Sequence, residues 1–110
     1  MRVLLDNGVP RGVARYLTSH SVEEEARVRG WEELANGDLI DAAEQAGFEV
    51  MVTTDKNIRY QQNLKARKLS LIVLEHAQWP MVKLVVENIV DAVNAAAPGS
   101  YGEVAVPFKK

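Results

Sequence analysis

Strand-like and helix-like segments alternate along this chain, and this alternation is the feature that most restricts its fold. Short apolar runs that are typical of buried strands occupy residues 2–6, 48–55 and 69–75. Segments with helical spacing of apolar residues separate these runs. Strands that alternate with helices favour a parallel sheet covered on both faces. The sequence therefore predicts an α/β protein, a three-layer α/β/α sandwich around a central, mainly parallel sheet.

The other segments supply helices and two weaker strands. Helices are predicted at residues 10–19, 26–30, 36–47, 57–67 and 80–97. Pro10 and Pro80 suit a first helical turn, where the missing N–H is no loss. We expect an exposed or edge strand near residues 20–24, and a final edge strand at 102–108, because it contains Pro107. The run at 69–75 is the most hydrophobic and is predicted to lie centrally.

Composition favours a single soluble domain spanning residues 1–110. The hydrophobic fraction of 47% and the charged fraction of 25% are ordinary globular values. The chain has no cysteine, so it has no disulfide framework, thiolate zinc site or thiol nucleophile. No apolar stretch reaches the roughly 18 to 20 residues of a membrane helix, and the start lacks a signal-peptide profile. We therefore expect a cytoplasmic protein with no membrane association.

The basic residues are unevenly distributed. The formal net charge is −2, which does not indicate a nucleic-acid binder. Five of the thirteen Lys and Arg residues nevertheless fall between Lys56 and Lys68. A basic edge on an acidic body is compatible with RNA contact, although a solvated face is the more common explanation.

Aspartates stand at the ends of two predicted strands. Asp6 follows Val3–Leu5, and Asp55 follows the run that ends at Thr54. Asp38 lies in the first turn of the helix predicted at 36–47. Since the carboxyl ends of parallel strands share one edge of the sheet, and the helix ahead of a strand starts near that edge, we expect all three to lie there.

Three neighbouring carboxylates would repel one another unless a cation lay between them. Mg²⁺ and Mn²⁺ prefer such oxygen ligands, and they can promote attack on a phosphodiester. Lys56 and Arg59 would then hold substrate phosphates. This pattern predicts a phosphodiesterase site.

Structural roles are an alternative for each of these residues. Aspartate is common at strand exits and helix N-termini because of turns and capping alone. Asp41 could join the site or face solvent, and Asn57 could cap a helix or assist the metal site. His20 and His76 lack a partner at ligand spacing, and Trp31 and Trp79 suit the core or an interface; all four are predicted to have packing or surface roles. The serine-elbow, glycine-rich dinucleotide and phosphate-loop motifs are absent.

Three blocks of the sequence resemble a known family. The segments "LLDNGVPRGVARYL", "RGWEELANGDLIDAA" and "VTTDKNIRYQQNL" resemble, in the same order, the blocks of the small PIN-like family catalogued as DUF5615. Members of this family are similar to PIN-domain ribonucleases, including toxins of bacterial toxin–antitoxin pairs. The resemblance covers roughly residues 1 to 75, and the closing helix and strand fit in length.

The resemblance implies an endoribonuclease that depends on Mg²⁺ or Mn²⁺. By position, Asp6, Asp38 and Asp55 match the family's catalytic, metal-binding acids. Lys56, Arg59 and Arg11 would contact RNA, with Asn7 and Asn57 as helper residues. Many relatives carry glutamate where this chain has Asn7, which would weaken metal binding. A fourth acid is usual on an intervening helix, and Glu24, Glu25 and Glu32 are its candidates here.

Two hypotheses of function follow from these residues. The first is an endoribonuclease that cleaves RNA, serves as a toxin and is held inactive by a small antitoxin protein. The second is a catalytically degenerate PIN-like module that binds a partner protein or RNA. PIN-like domains often form homodimers, and the valine-rich last helix could contribute to such a contact.

Overall fold

Five strands form one sheet in the computed structural model, which describes residues 1–6, 8–23, 31, 34, 36–56, 58 and 67–108. The strands are β1 (Arg2–Leu5), β2 (Ser21–Glu23), β3 (Val50–Thr53), β4 (Ser70–Leu74) and β5 (Tyr101–Val104). Their order is β2-β1-β3-β4-β5, and every neighbouring pair is parallel. The predicted α/β fold class is confirmed, with a sheet that is parallel throughout.

Helical segments connect these strands. A 3-10 helix spans Arg11–Tyr16, and α1 spans Asn36–Gln45. After β4, α2 (Trp79–Val82) continues through a 3-10 turn (Lys83–Val85) into α3 (Val86–Asn94).

The structure revises two of the predicted helices. The helix expected at residues 10–19 is a shorter 3-10 helix, and the long helix expected at 80–97 is interrupted at Lys83–Val85. The interruption coincides with β-branched Val85 and Val86, whose side chains lose rotamer freedom in a helix. The predicted helix at 26–30 lies outside the described residues, and the one at 57–67 lies largely outside them.

The sheet buries both of its faces, because successive side chains point to opposite sides of a strand. On one face, side chains of β1, β3 and β4 pack with the 3-10 helix, α2 and α3; among them are Val3, Leu5, Val52, Leu74, Val13, Val82 and Ile89. On the other face they pack with α1; among them are Leu4, Met51, Val73, Leu39, Ile40 and Ala43. Two buried layers on one sheet explain why the strand sequences are almost continuously apolar.

The expected positions of the outer strands are confirmed. Both β2 and β5 lie at sheet edges, and β5 ends at Val104, before Pro107. β4 is an interior strand as predicted, although β3 occupies the middle of the sheet.

The strand order reverses between β1 and β3. The chain passes from β1 to β2 on one side, and then returns across β1 to place β3 on its other side. In open parallel sheets, ligands bind outside the carboxyl ends of the strands at such a reversal. The carboxyl ends of β1 and β3 are therefore the place to look for a site. None of the helices in the described parts of the chain is long and apolar enough to cross a membrane.

Candidate metal and phosphate site

Asp6 lies directly beyond β1, at the strand-order reversal. Its N–H donates to the Val52 carbonyl at 2.9 Å, which extends the β1–β3 ladder by one residue. Its side chain is half-buried and accepts a hydrogen bond from the Thr53 hydroxyl at 2.8 Å, with Oδ2 as the acceptor. The first strand-end aspartate is therefore held at the edge of the sheet by β3.

Thr53 joins the two strand ends through one hydroxyl group. The residue is fully buried, and its Oγ1 donates to Asp6 and accepts the Asp55 N–H at 3.2 Å. A buried hydroxyl needs such partners, since its desolvation is otherwise uncompensated. Sequence reasoning missed this residue. The available signal was a threonine at the end of an otherwise apolar strand, two residues before the strand-end acid.

Asp55 lies two residues beyond β3 and is half-buried. The Ile58 N–H approaches its carbonyl at 3.5 Å, and the intervening Lys56 is exposed. Asp6 and Asp55 are thus connected through Thr53 on adjacent parallel strands. A cationic side chain lies one residue beyond Asp55.

Asp38 occupies the predicted place in the first turn of α1, and its side chain is exposed. The helix is held against the sheet by the neighbouring buried Leu39 and Ile40. Counting only residues that the structure describes, no three His, Asp or Glu side chains form a group able to hold a metal ion. Metal binding by Asp6, Asp38 and Asp55 therefore stays a prediction.

Glu75 is a further strand-end acid that sequence reasoning did not single out. It directly follows β4, is half-buried, and donates its N–H to the Val104 carbonyl at 3.1 Å. Three adjacent strands, β1, β3 and β4, thus have an acidic residue just beyond their carboxyl ends.

Some of the remaining predicted site residues are described by the structure, and others are not. Arg11 is exposed and begins the 3-10 helix that follows β1. Six predicted residues lie outside the described part of the chain. They are the helper residues Asn7 and Asn57, the RNA-contacting Arg59, and the fourth-acid candidates Glu24, Glu25 and Glu32.

Asp41 forms an ion pair on α1. Arg67 donates to Asp41 and, at 3.0 Å, to Glu44, and the Lys68 N–H donates to Glu44 at 2.7 Å. Hydrogen bonding to Asp41, and then to Glu44, raises the pKa of Arg67 above its ordinary value. Of the two alternatives for Asp41, the exposed side chain paired with Arg67 agrees with a surface role.

The histidines make protein contacts, in agreement with the predicted packing roles. His20 Nε2 lies 2.6 Å from Asn94 Oδ1, and His76 Nε2 lies 2.9 Å from the Pro107 carbonyl oxygen. Trp79 packs against the core on the side of α2 and α3, and Trp31 packs against the side of α1.

A cavity of about 510 Å³ lies at the opposite edge of the sheet. Its lining comes from residues that precede the strands, including Met1, Phe48, Lys68 and Ala97. It is therefore separate from the strand-end acids.

No protein-family model, curated protein or solved structure matches this chain. The case for a function consequently depends on the chain's own residues and their arrangement.

Proposed function

We propose that this chain is a PIN-like endoribonuclease that depends on Mg²⁺ or Mn²⁺. The observation that carries the proposal is the linkage of Asp6 and Asp55 through Thr53, at the carboxyl ends of adjacent parallel strands. The edge beside a strand-order reversal is where sheets of this kind bind ligands. The resemblance of the three sequence blocks to the DUF5615 family supports the same assignment.

The donor chemistry of this edge fits a hard divalent cation. Asp6 and Asp55 offer carboxylate oxygens, and both side chains are only half-buried. Mg²⁺ and Mn²⁺ prefer oxygen ligands, and Mg²⁺ in particular keeps several of its waters. When bound, such an ion acidifies water and offsets negative charge on a phosphodiester. Asp6 and Asp55 can therefore supply two protein ligands, with water as the other ligands, and Asp38 is the proposed third protein ligand.

The chain's own side chains supply positioning. Thr53 donates to Asp6 Oδ2, which keeps this carboxylate oriented at the edge. Lys56 and Arg11 are exposed cations that follow β3 and β1, where they can attract RNA phosphates. Substrate would thus be held between basic residues and the acidic edge. By the same resemblance, we propose a small antitoxin protein as the regulatory partner.

Metal binding is tested first by thermal unfolding with and without Mn²⁺. A ligand that binds only the folded state raises its stability, so Mn²⁺ should raise the Tm of the wild-type protein. Asp6→Asn keeps the side-chain shape and a carbonyl acceptor for Thr53, but it removes the charge. We expect this variant to fold and to lose the Mn²⁺-dependent shift.

Asp91→Asn is the matched control. It makes the same chemical change at an exposed residue of α3, away from the proposed site. It should retain the full shift. An unchanged Tm for wild type at millimolar Mn²⁺, or equal shifts in both variants, would contradict a site at Asp6.

Cleavage is tested next with Asp55→Asn. The side chain lies beyond β3 and outside the core, so this variant should fold but lose metal-dependent cleavage of a mixed RNA pool. The measurement is fragment formation with Mn²⁺, with chelator, and with the Asp91→Asn control. Persistent cleavage by Asp55→Asn in a preparation free of other nucleases would contradict the assignment. RNA binding that is lost in Lys56→Ala, without cleavage by wild type, would support the degenerate binding module.

A further inference from the structure

The cavity at the amino edge of the sheet combines an apolar wall with one cationic and one anionic side chain. Its volume of about 510 Å³ falls within the range of about 300–1,000 Å³ that is typical of small-molecule pockets. Met1, Glu49 and Lys68 line it and precede β1, β3 and β4, respectively. The metal site proposed above lies at the other edge, so this cavity can take a ligand of its own.

The apolar wall comes from both sides of the sheet. Phe48 follows α1 and is buried, and Ala96, Ala97 and Pro98 follow α3. Met1 and Ala96 are half-buried and pack against the hydrophobic core beside α3. A ligand that places an apolar group against this wall removes apolar surface from water, which favours binding.

Lys68 provides a cation whose backbone is fixed at the cavity. Its N–H donates to Glu44 Oε2 at 2.7 Å, and Arg67 donates to Glu44 Oε1 at 3.0 Å, so both oxygens of Glu44 have protein partners. The Lys68 side chain is exposed, and its ammonium group forms no hydrogen bond or ion pair with any residue that the structure describes. A ligand carboxylate can therefore bind Lys68 without displacing a protein group.

Glu49 provides the anion. Its N–H donates to the Arg2 carbonyl at 2.9 Å, and its carbonyl accepts the Ser70 N–H at 2.9 Å, which fixes the residue between the starts of β1 and β4. Its Oε1 accepts the Arg2 N–H at 3.3 Å, whereas Oε2 has no partner among the described residues. The Arg2 guanidinium instead donates to the Ala46 carbonyl and lies 4.6 Å from the centre of the Phe48 ring.

We propose that this cavity binds a small zwitterion with an apolar side chain, which is the chemistry of a free apolar amino acid. The ligand carboxylate pairs with Lys68, the ligand ammonium pairs with Glu49, and the apolar side chain lies against the wall that includes Ala96 and Ala97. A ligand with a single charge would leave either Lys68 or Glu49 without its partner.

Three small molecules with the same phenyl group test the two charges separately. Phenylalanine carries both charges, phenethylamine lacks the carboxylate, and 3-phenylpropionate lacks the ammonium. Isothermal titration calorimetry, without divalent metal, should give phenylalanine an affinity about tenfold higher than that of either other molecule, because each charged hydrogen bond contributes. Equal affinities for all three, or no binding of phenylalanine, would overturn the proposal. Because no metal is present, neither result depends on the proposed nuclease site.

Lys68→Met and Glu49→Gln identify the residues that bind each charge. Each variant should weaken phenylalanine binding about tenfold. Lys68→Met should leave phenethylamine binding unchanged, and Glu49→Gln should leave 3-phenylpropionate binding unchanged. Both positions are exposed, and circular dichroism checks that the variants fold.

The matched controls are Lys83→Met and Glu87→Gln. They make the same chemical changes at exposed residues near the start of α3, whereas Ala96 and Ala97 follow its end. Both controls should bind phenylalanine as the wild-type protein does. Wild-type affinity for phenylalanine in either Lys68→Met or Glu49→Gln would overturn the proposed recognition of a zwitterion.

Discussion

At the scale of single residues, Thr53 is the position on which the strand-end geometry depends most directly. Its hydroxyl is the common partner of the Asp6 carboxylate and the Asp55 N–H, although the two aspartates follow different strands. A hydroxyl can do both because it carries one proton to donate and lone pairs to accept. An aliphatic residue of the same shape can do neither.

Replacement of Thr53 by valine should therefore destabilise the protein despite the close match in shape. Two polar groups at the strand ends would lose a partner, and each such loss typically costs about 1–3 kcal/mol when the group is buried. Because both groups are partly hydrated, we expect a total near the lower end of that range, measured by urea unfolding. Thr53→Val should also weaken the Mn²⁺-dependent rise in Tm if the proposed site is correct.

Thr53→Ser is the matched comparison, since it keeps the hydroxyl and loses one methyl group. It should cost about 1 kcal/mol from lost apolar burial, and it should retain the Mn²⁺ response. A serine variant that loses the response as fully as the valine variant would show that the hydroxyl is not the important group.

At the scale of elements, the 3-10 helix packs directly on the start of α2. A Cβ atom added at Gly12 would lie 2.4 Å from an atom of the Trp79 ring, which is too close for any real contact. The tryptophan ring thus lies against the backbone of Gly12. This contact couples the connection after β1 to the connection after β4, both at the carboxyl edge of the sheet.

Gly12→Ala should force these two elements apart. Overpacking of this kind typically costs about 1–3 kcal/mol, and the displaced Trp79 ring should also change its fluorescence. Gly102→Ala is the control, because a Cβ there meets no atom within 4 Å. Denaturant unfolding of the two variants checks the prediction; similar midpoints would contradict the tight contact.

The sequence predicted elements well where a local pattern was sufficient. Short apolar runs located β1, β3 and β4, and Gly47, with a φ of 88°, follows α1 as a left-handed residue at a helix end should. The interruption between α2 and α3 was not predicted. The helical spacing of apolar residues continues through Lys83–Val85, although the α-helical backbone is interrupted there. The Thr53 link could not be read locally either, since it depends on the register of β1 against β3.

At the scale of the whole molecule, the sheet couples two hydrophobic layers. β1, β3 and β4 contribute alternate side chains to both, so neither layer can be lost while the strands remain intact. Ile40 is fully buried in the layer beside α1, and Ile89 is fully buried in the layer beside α3. The described part of the chain should therefore unfold as one cooperative unit.

Ile40→Ala and Ile89→Ala test this coupling from opposite faces. Each should lower stability by about 2–5 kcal/mol, and each should leave a single unfolding transition. The transitions should coincide when followed by tryptophan fluorescence and by circular dichroism. Two separated transitions in either variant would contradict the shared sheet.

The reversal of strand order also determines when the acidic carboxyl edge of the sheet, with Asp6 and Asp55, can form during synthesis on the ribosome. The bond from Thr53 to Asp6 joins residues 47 positions apart, and β1 cannot acquire its second neighbour until β3 has left the ribosome. Closing so long a loop costs chain entropy, which slows folding of parallel sheets. No nascent fragment that stops before β3 can hold Asp6 and Asp55 together. The proposed metal site therefore cannot form before β3 and Asp55 have been translated.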